Sequence, residues 1–187
     1  MTESPESVDD VRGNAAVEDS TAPIPPTADA DGGAGRARVE ADAEARGVPI
    51  RVVERPAARS LQEAAALLGI EPSDIVKTLV VKRSDDTFVF ALVPGGRKIS
   101  WPKLRGILHV NKLQLPDASV ALAATGYERG TITPFGSTTA WPIVADASIP
   151  GRTVSMGAGA HGYSLFVDAD ALIAAFDATV ADITDPE

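Results

Sequence analysis

Apolar positions recur along this chain in two rhythms, and the places where one gives way to the other mark out its elements. Residues 36–46 (RARVEADAEAR) suit a helix, stopped by Gly47 and Pro49. "IRVVE" at 50–54 reads as a short strand. Ser60 and Glu63 have the spacing of a capping box, and the helix they open runs through Leu68 to Gly69. Two β-rich runs, 75–82 and 87–93, are joined by Ser84-Asp85-Asp86 and predict a hairpin. Pro94, Gly95 and Gly96 break the chain, after which Ser100 caps a short helix with Pro102 in its first turn. A second short helix is predicted at 117–124, strands at "WPIVAD", "RTVSM" and "YSLFVD", and a last helix at 168–176. The later strands follow each other too closely for βαβ crossovers. The expected fold is therefore α/β, with a mixed, largely antiparallel sheet or a partly closed barrel flanked by helices.

Before residue 36 no such rhythm exists. "APIPPT" and "DADGGAG" are breakers, and eight acids stand against Arg12 alone. Residues 1–35 are read as a disordered acidic tail, and 36–187 as a single domain. The tail lacks the basic start and apolar stretch of a secretory signal, and no run approaches 18 apolar residues. A cytoplasmic protein with no membrane partner is expected.

Composition narrows the chemistry. Among 187 residues there is no cysteine and there are two histidines, His109 and His161. Disulfides, thiolate nucleophiles, iron–sulfur clusters and cysteine zinc sites are excluded, and no metal or cofactor is expected. The formal charge of −9 hides a basic middle: from Lys77 to Lys112 there are eight bases and only Asp85 and Asp86. Net charge thus gives no argument against an anionic partner. Lys82, Arg83, Arg97, Lys98, Lys103, Arg105 and Lys112 are candidates for facing RNA phosphates; a solvated surface is the other reading.

Gly157–Gly162 fits G-x-G-x-x-G, but a β-rich run follows where a dinucleotide fingerprint must open a helix. Gly159 and Gly162 are read instead as a tight loop. No nucleophile elbow, P-loop or zinc-protease motif occurs. Asp168 and Asp170 are explained as the cap and first turn of a helix rather than as metal ligands. Lys77 stands in the apolar run Ile-Val-Lys-Thr-Leu-Val-Val, on one face with Ile75, Leu79 and Val81. Its ammonium either escapes at the strand end or points, partly desolvated, into a pocket. Residues 125–136 (TGYERGTITPFG) hold three glycines and a proline, suiting a shaped loop with amides free to face a ligand, or an ordinary connection.

Taken together, "LLGI", "VKTLVVK", the "TGYxxGxxxPFG" loop, a "VD" after the following strand and a Gly-rich turn before a terminal helix resemble the YbaK/prolyl-tRNA deacylase family. These proteins are free-standing relatives of the editing domain inserted in bacterial prolyl-tRNA synthetases. The resemblance spans about residues 38–184, in the family's order. It implies a YbaK-like editing fold and hydrolysis, without metal, of the ester on a mischarged tRNA. The implied substrate is tRNA-Pro, or a similar tRNA, carrying a small wrong amino acid. Lys77 falls on the family's functional lysine. Gly130 and Pro134 fall on the ends of the loop that holds the aminoacyl end, which brings in Gly126, Tyr127, Thr131, Ile132 and Thr133; Gly159 and Gly162 match its Gly-rich turn. Many relatives carry a basic residue where this chain has Ala160. The implied partners are the tRNA acceptor end and an aminoacyl-tRNA synthetase. Trp101 and Tyr127 are candidates for stacking on a terminal base, with core packing as the alternative. The competing function is a catalytically weak or inactive YbaK-like module that binds tRNA or a small ligand in a regulatory role.

Overall fold

The hairpin at the middle of the sequence is the axis of the fold. In the computed structural model, which describes residues 32–187, β2 (Val76–Arg83) pairs antiparallel with β3 (Phe88–Pro94) in unbroken register from Val76↔Pro94 to Lys82↔Phe88. Expected alternation is met. Val76 and Val80 enter the main core with Phe90 and Leu92, while Val81 and Leu79 pack on the opposite face against Val89, Ala91 and Val93. A sheet covered on both faces explains why its strands are so uniformly apolar.

Around this hairpin a five-stranded sheet is laid out in the order β5-β2-β3-β6-β9, with β5 (Leu113–Gln114), β6 (Ile143–Asp146) and β9 (Thr179–Ala181). β3–β6 and β6–β9 are parallel, the other pairs antiparallel. A second, antiparallel sheet runs β1-β8-β7, from β1 (Ile50–Glu54), β8 (Tyr163–Asp168) and β7 (Thr153–Gly157). A two-stranded ribbon joins β4 (Arg97–Ile99) to β10 (Thr184–Pro186). The mixed sheet is thus the arrangement formed; the sheets are open and no barrel closes. Strands β4, β5, β9 and β10 escaped the sequence reading because two or three residues cannot display a period.

Helices flank the sheets: α1 (Gly33–Ala45), α2 (Leu61–Leu68), α3 (Trp101–Leu108), α4 (Ala118–Thr125) and α5 (Ala169–Ala175). The Ser60 oxygen accepts from the Glu63 amide at 3.1 Å, as a capping box requires. The return arm lands one residue early, on the Arg59 amide at 2.7 Å. Asp168 caps α5 by accepting from the Ala171 amide at 2.8 Å, and Asp170 accepts from the Gly151 amide. Ser100 occupies the cap position of α3 but makes no cap bond, so Pro102 supplies the start signal there. α1 begins at Gly33, three residues earlier than expected. The acidic tail lies almost wholly outside the described residues. No described helix is long and apolar enough to cross a membrane.

Candidate functional site

One edge of β2 is left mostly uncovered, and a cavity forms there. The Ile75 carbonyl accepts from the Gly95 amide and the Arg83 amide donates to the Thr87 carbonyl, so odd-numbered residues aim their backbone groups at β3. Even-numbered residues therefore aim theirs at the other edge. β5 covers that edge only at Lys82 and Arg83, and a single bridge joins Ile75 to Ser155 of β7. Between these points the peptide groups of Thr78 and Val80 border a cavity of about 400 Å³. Leu68 of α2, Met156 and Gly157 of β7, and Gly130 and Ile132 of the Gly-rich loop complete its walls.

The lining is apolar apart from a few groups. Lys77, Arg55 and Arg129 bring positive charge, and among the described residues no carboxylate or imidazole lines the cavity. The Thr78 hydroxyl is buried in the wall and has no hydrogen-bond partner among the described residues. An orphan hydroxyl of this kind costs free energy until something bonds it. Arg55 donates from Nε to the Ser164 hydroxyl and from Nη1 to the Pro56 carbonyl.

Lys77 lines the cavity, yet its ammonium is drawn to the face it shares with Leu79. Nζ donates to the Arg97 carbonyl and to Glu187 Oε1, both at 2.7 Å. The Lys77 hydrogen bond and charge hold the Glu187 carboxyl below the usual carboxylate range. An ammonium has three N–H donors, so among the described residues one remains uncommitted.

The loop after α4 contributes through few of its residues. Gly130, at φ +92°, and Ile132 reach the cavity, as does Arg129. Gly126, Tyr127, Thr131, Thr133 and Pro134 stand behind the wall. Tyr127 is 1% exposed and donates from its hydroxyl to the Phe135 carbonyl at 2.8 Å, with the Arg38 guanidinium over its ring. Burial pushes its phenol up, despite Arg38, so it stays a donor. The Thr133 hydroxyl faces Met156 Sδ at 3.5 Å. Gly157 lies so close to the loop that a Cβ there would sit 2.5 Å from the Thr131 and Ile132 carbonyl oxygens. Gly159 and Gly162 form a left-handed turn between β7 and β8, outside the cavity lining. Ala160 is 4% exposed and lies beside Gly32, where a Cβ added to the glycine would come within 2.8 Å of the Ala160 Cβ.

The basic residues divide. Arg97 donates to the Thr184 hydroxyl and carbonyl, and Lys103 to Asp182 and the Thr184 carbonyl, with Asp185 at 3.0 Å. Lys98 is exposed on β4, in register with Asp185, and Arg105 lies in the last turn of α3. Lys82 and Arg83 sit at the far end of β2 beside Asp86 and Asp85. Trp101 is partly buried against the second core cluster. Sequence reading overlooked Arg55, Thr78 and Arg129. Thr78 had a signal, being the other polar residue of an apolar strand; the two arginines had none.

Relatives carry the same segment. The chain is 36% identical over 121 residues to the proline–tRNA ligase of Thermoanaerobacter sp. (strain X514), covering 63% of this chain and 21% of that protein. It is 38% identical over 103 residues to the proline–tRNA ligase of Geobacter sulfurreducens, covering 55% and 18%. The chain thus spans about a fifth of the length of these curated relatives. A solved structure described as a candidate trans-editing enzyme for prolyl-tRNA synthetase superposes with a TM-score of 0.75 at 28% identity, covering 81% of this chain and 97% of that one. A family model for the aminoacyl-tRNA editing domain matches residues 55–175, a stretch that includes every described residue of the cavity wall, and the chain belongs to that family.

Proposed function

We propose that this protein acts in trans on mischarged aminoacyl-tRNA, hydrolysing the ester between a wrong amino acid and the 3′-terminal adenosine. The observation that carries this reading is a cavity lined by cations, an orphan hydroxyl and open peptide groups, with no acid or imidazole among the described residues. Such a site is poor in proton-transfer groups and rich in groups that polarise and position. An aminoacyl ester, already activated, needs little more than that. Water adds to the ester carbonyl carbon, the bond to the ribose oxygen breaks, and the proton lost by water ends on that oxygen. The products are a free amino acid and a free ribose hydroxyl. The third N–H of Lys77 orients the ester or stabilises the negative charge that develops on its carbonyl oxygen. Amides near Gly130 fix the ester, and substrate hydroxyls assist the proton transfers. The apolar walls suit a small side chain, and tRNA-Pro or a similar tRNA is the substrate class that the ligase relatives favour. A synthetase as partner and a cytoplasmic site of action belong to the same reading.

One observation favours a second reading. The Lys77 ammonium already has two good partners, as a purely binding module would tolerate. Deacylation measured across a panel of mischarged tRNAs separates the two. Lys77→Ala is expected to lose most of the rate, about a hundredfold or more, with an unchanged circular dichroism spectrum. Lys77→Arg should fail too, since a planar fork cannot replace a compact ammonium at close approach. A folded Lys77→Ala protein with wild-type rates would end the proposed role. A wild-type protein that binds tRNA and hydrolyses nothing would establish the binding module.

A further inference from the structure

A second, smaller cleft of about 230 Å³ opens where β2 meets β5, lined by Lys82, Arg83, Ser84, Asp86, Lys112 and Gln114. It neighbours the large cavity in sequence on both of its sides. Val80 lines the cavity and Lys82 the cleft; Gln114 lines the cleft and Leu115 the cavity. Two residues of strand span roughly 7 Å. An offset of that length is short enough for one nucleic-acid strand to reach from the cavity into the cleft.

Among the described residues the cleft is also short of anions. Three cations face one lining carboxylate, Asp86, which is 83% exposed and 2.6 Å from Lys82 Nζ. Asp85 accepts from the Thr87 amide and hydroxyl and stays 3.9 Å from Arg83 Nε. That Nε–H is shielded from solvent and has no hydrogen-bond partner among the described residues. The Arg83 side chain as a whole is 31% exposed, which leaves the outer N–H groups of its guanidinium available to a phosphate oxygen. On the opposite flank the cations Lys77, Arg97 and Lys103 are engaged by Asp182, Thr184, Asp185 and Glu187 of the chain's acidic end.

We infer that the cleft formed by Lys82, Arg83 and Lys112 binds the phosphodiester backbone of the RNA strand whose terminal nucleotide occupies the cavity. This rests on the deacylase reading and adds the path of the RNA to it. The track leaves the cavity along β2 toward the Asp85–Asp86 turn, rather than over the Arg97–Lys103 flank.

The test compares two esters of the same amino acid on the full-length protein. One is aminoacyl-adenosine, which carries no phosphate; the other is an aminoacylated acceptor-stem minihelix. Arg83→Ala and Lys112→Ala should each lower kcat/KM for the minihelix about tenfold at low salt. Each should also reduce the salt slope of minihelix binding by about 0.7, and leave aminoacyl-adenosine hydrolysis unchanged. Lys112 is exposed, so its variant keeps the test valid if Arg83→Ala unfolds. Equal losses on both esters would overturn the inference, because the residues would then act through the cavity or the fold. Unchanged minihelix kinetics would overturn it while leaving the deacylase reading intact. If the wild-type protein cleaves neither ester, that reading fails and the RNA track falls with it.

Discussion

Asp146 shows how one side chain ties distant parts of the chain together. It closes β6, is 2% exposed, and gathers four donors. Oδ1 accepts from the Ser148 amide and hydroxyl; Oδ2 accepts from the Ile183 amide and the Thr184 hydroxyl. Burial alone would raise its pKa, but the bonds from Ser148, Thr184 and Ile183 outweigh that and hold it below the usual carboxylate range. Asp146→Asn turns a donor group toward donors and is expected to cost about 2 kcal/mol in urea unfolding at pH 7. The depressed folded-state pKa sets the sign with pH. The contribution is complete above the ordinary carboxylate pKa, near about 4, and disappears as pH falls through the folded value. The gap between wild type and variant should therefore close in acid. Equal stabilities at pH 7 would show that the four bonds contribute nothing net. Lys77 depends on the same region, because Thr184, held by Asp146, begins the strand that ends beside Glu187.

α1 acts at the level of the element. Its Arg38 donates to the Gly126 carbonyl at 2.8 Å, and its Asp42 accepts from the Gly136 amide at 2.9 Å. The helix thus grips both ends of the loop that carries Gly130 and Ile132. It can approach because Gly35 lies directly on the Gly159 carbonyl, where a Cβ would overlap that oxygen. Gly35→Ala must push the helix away. The expected loss is about 2 kcal/mol of stability, together with a lower deacylation rate as the loop loosens. Denaturant titration and single-turnover kinetics on the variant check both, and an unchanged midpoint would mean that α1 docks without this contact. α1 lies outside the matched stretch 55–175, as do β10 and Glu187, one of the two partners of Lys77.

At the scale of the whole molecule, charge is the organising quantity. The basic stretch from Lys77 to Lys112 meets the acidic end of the chain in space, which quenches the Arg97–Lys103 flank and leaves the β2–β5 cleft cationic. The first 31 residues carry eight acids and one arginine, a charge of −7. Removing them should leave cooperative unfolding unchanged, since their sequence offers no periodic apolar face to the core. It should also strengthen RNA binding at low salt, with little effect at high salt, because repulsion between distant charges is screened. Titrations of both forms at two ionic strengths test this. A cut after residue 31, rather than 35, preserves the Gly35 contact of α1.

The residues by themselves determined the central hairpin, the capped helices and the two-faced burial of β2, because these follow from local periodicity and from hydrogen bonds between near neighbours. They also marked Lys77 and the Gly-rich loop as unusual, since a lysine in an apolar strand and three glycines in twelve residues break the surrounding pattern. Tertiary structure alone decided which loop residues reach the cavity, since burial of Tyr127 and Thr133 depends on α1 and β7, segments far away in sequence. It alone brought Glu187 to Lys77, 110 residues apart, and separated quenched from available cations. Short strands such as β5 and β10 also belong to this second class. Their two or three residues carry no period, and they become strands only because the edge of another strand is already there to bond them.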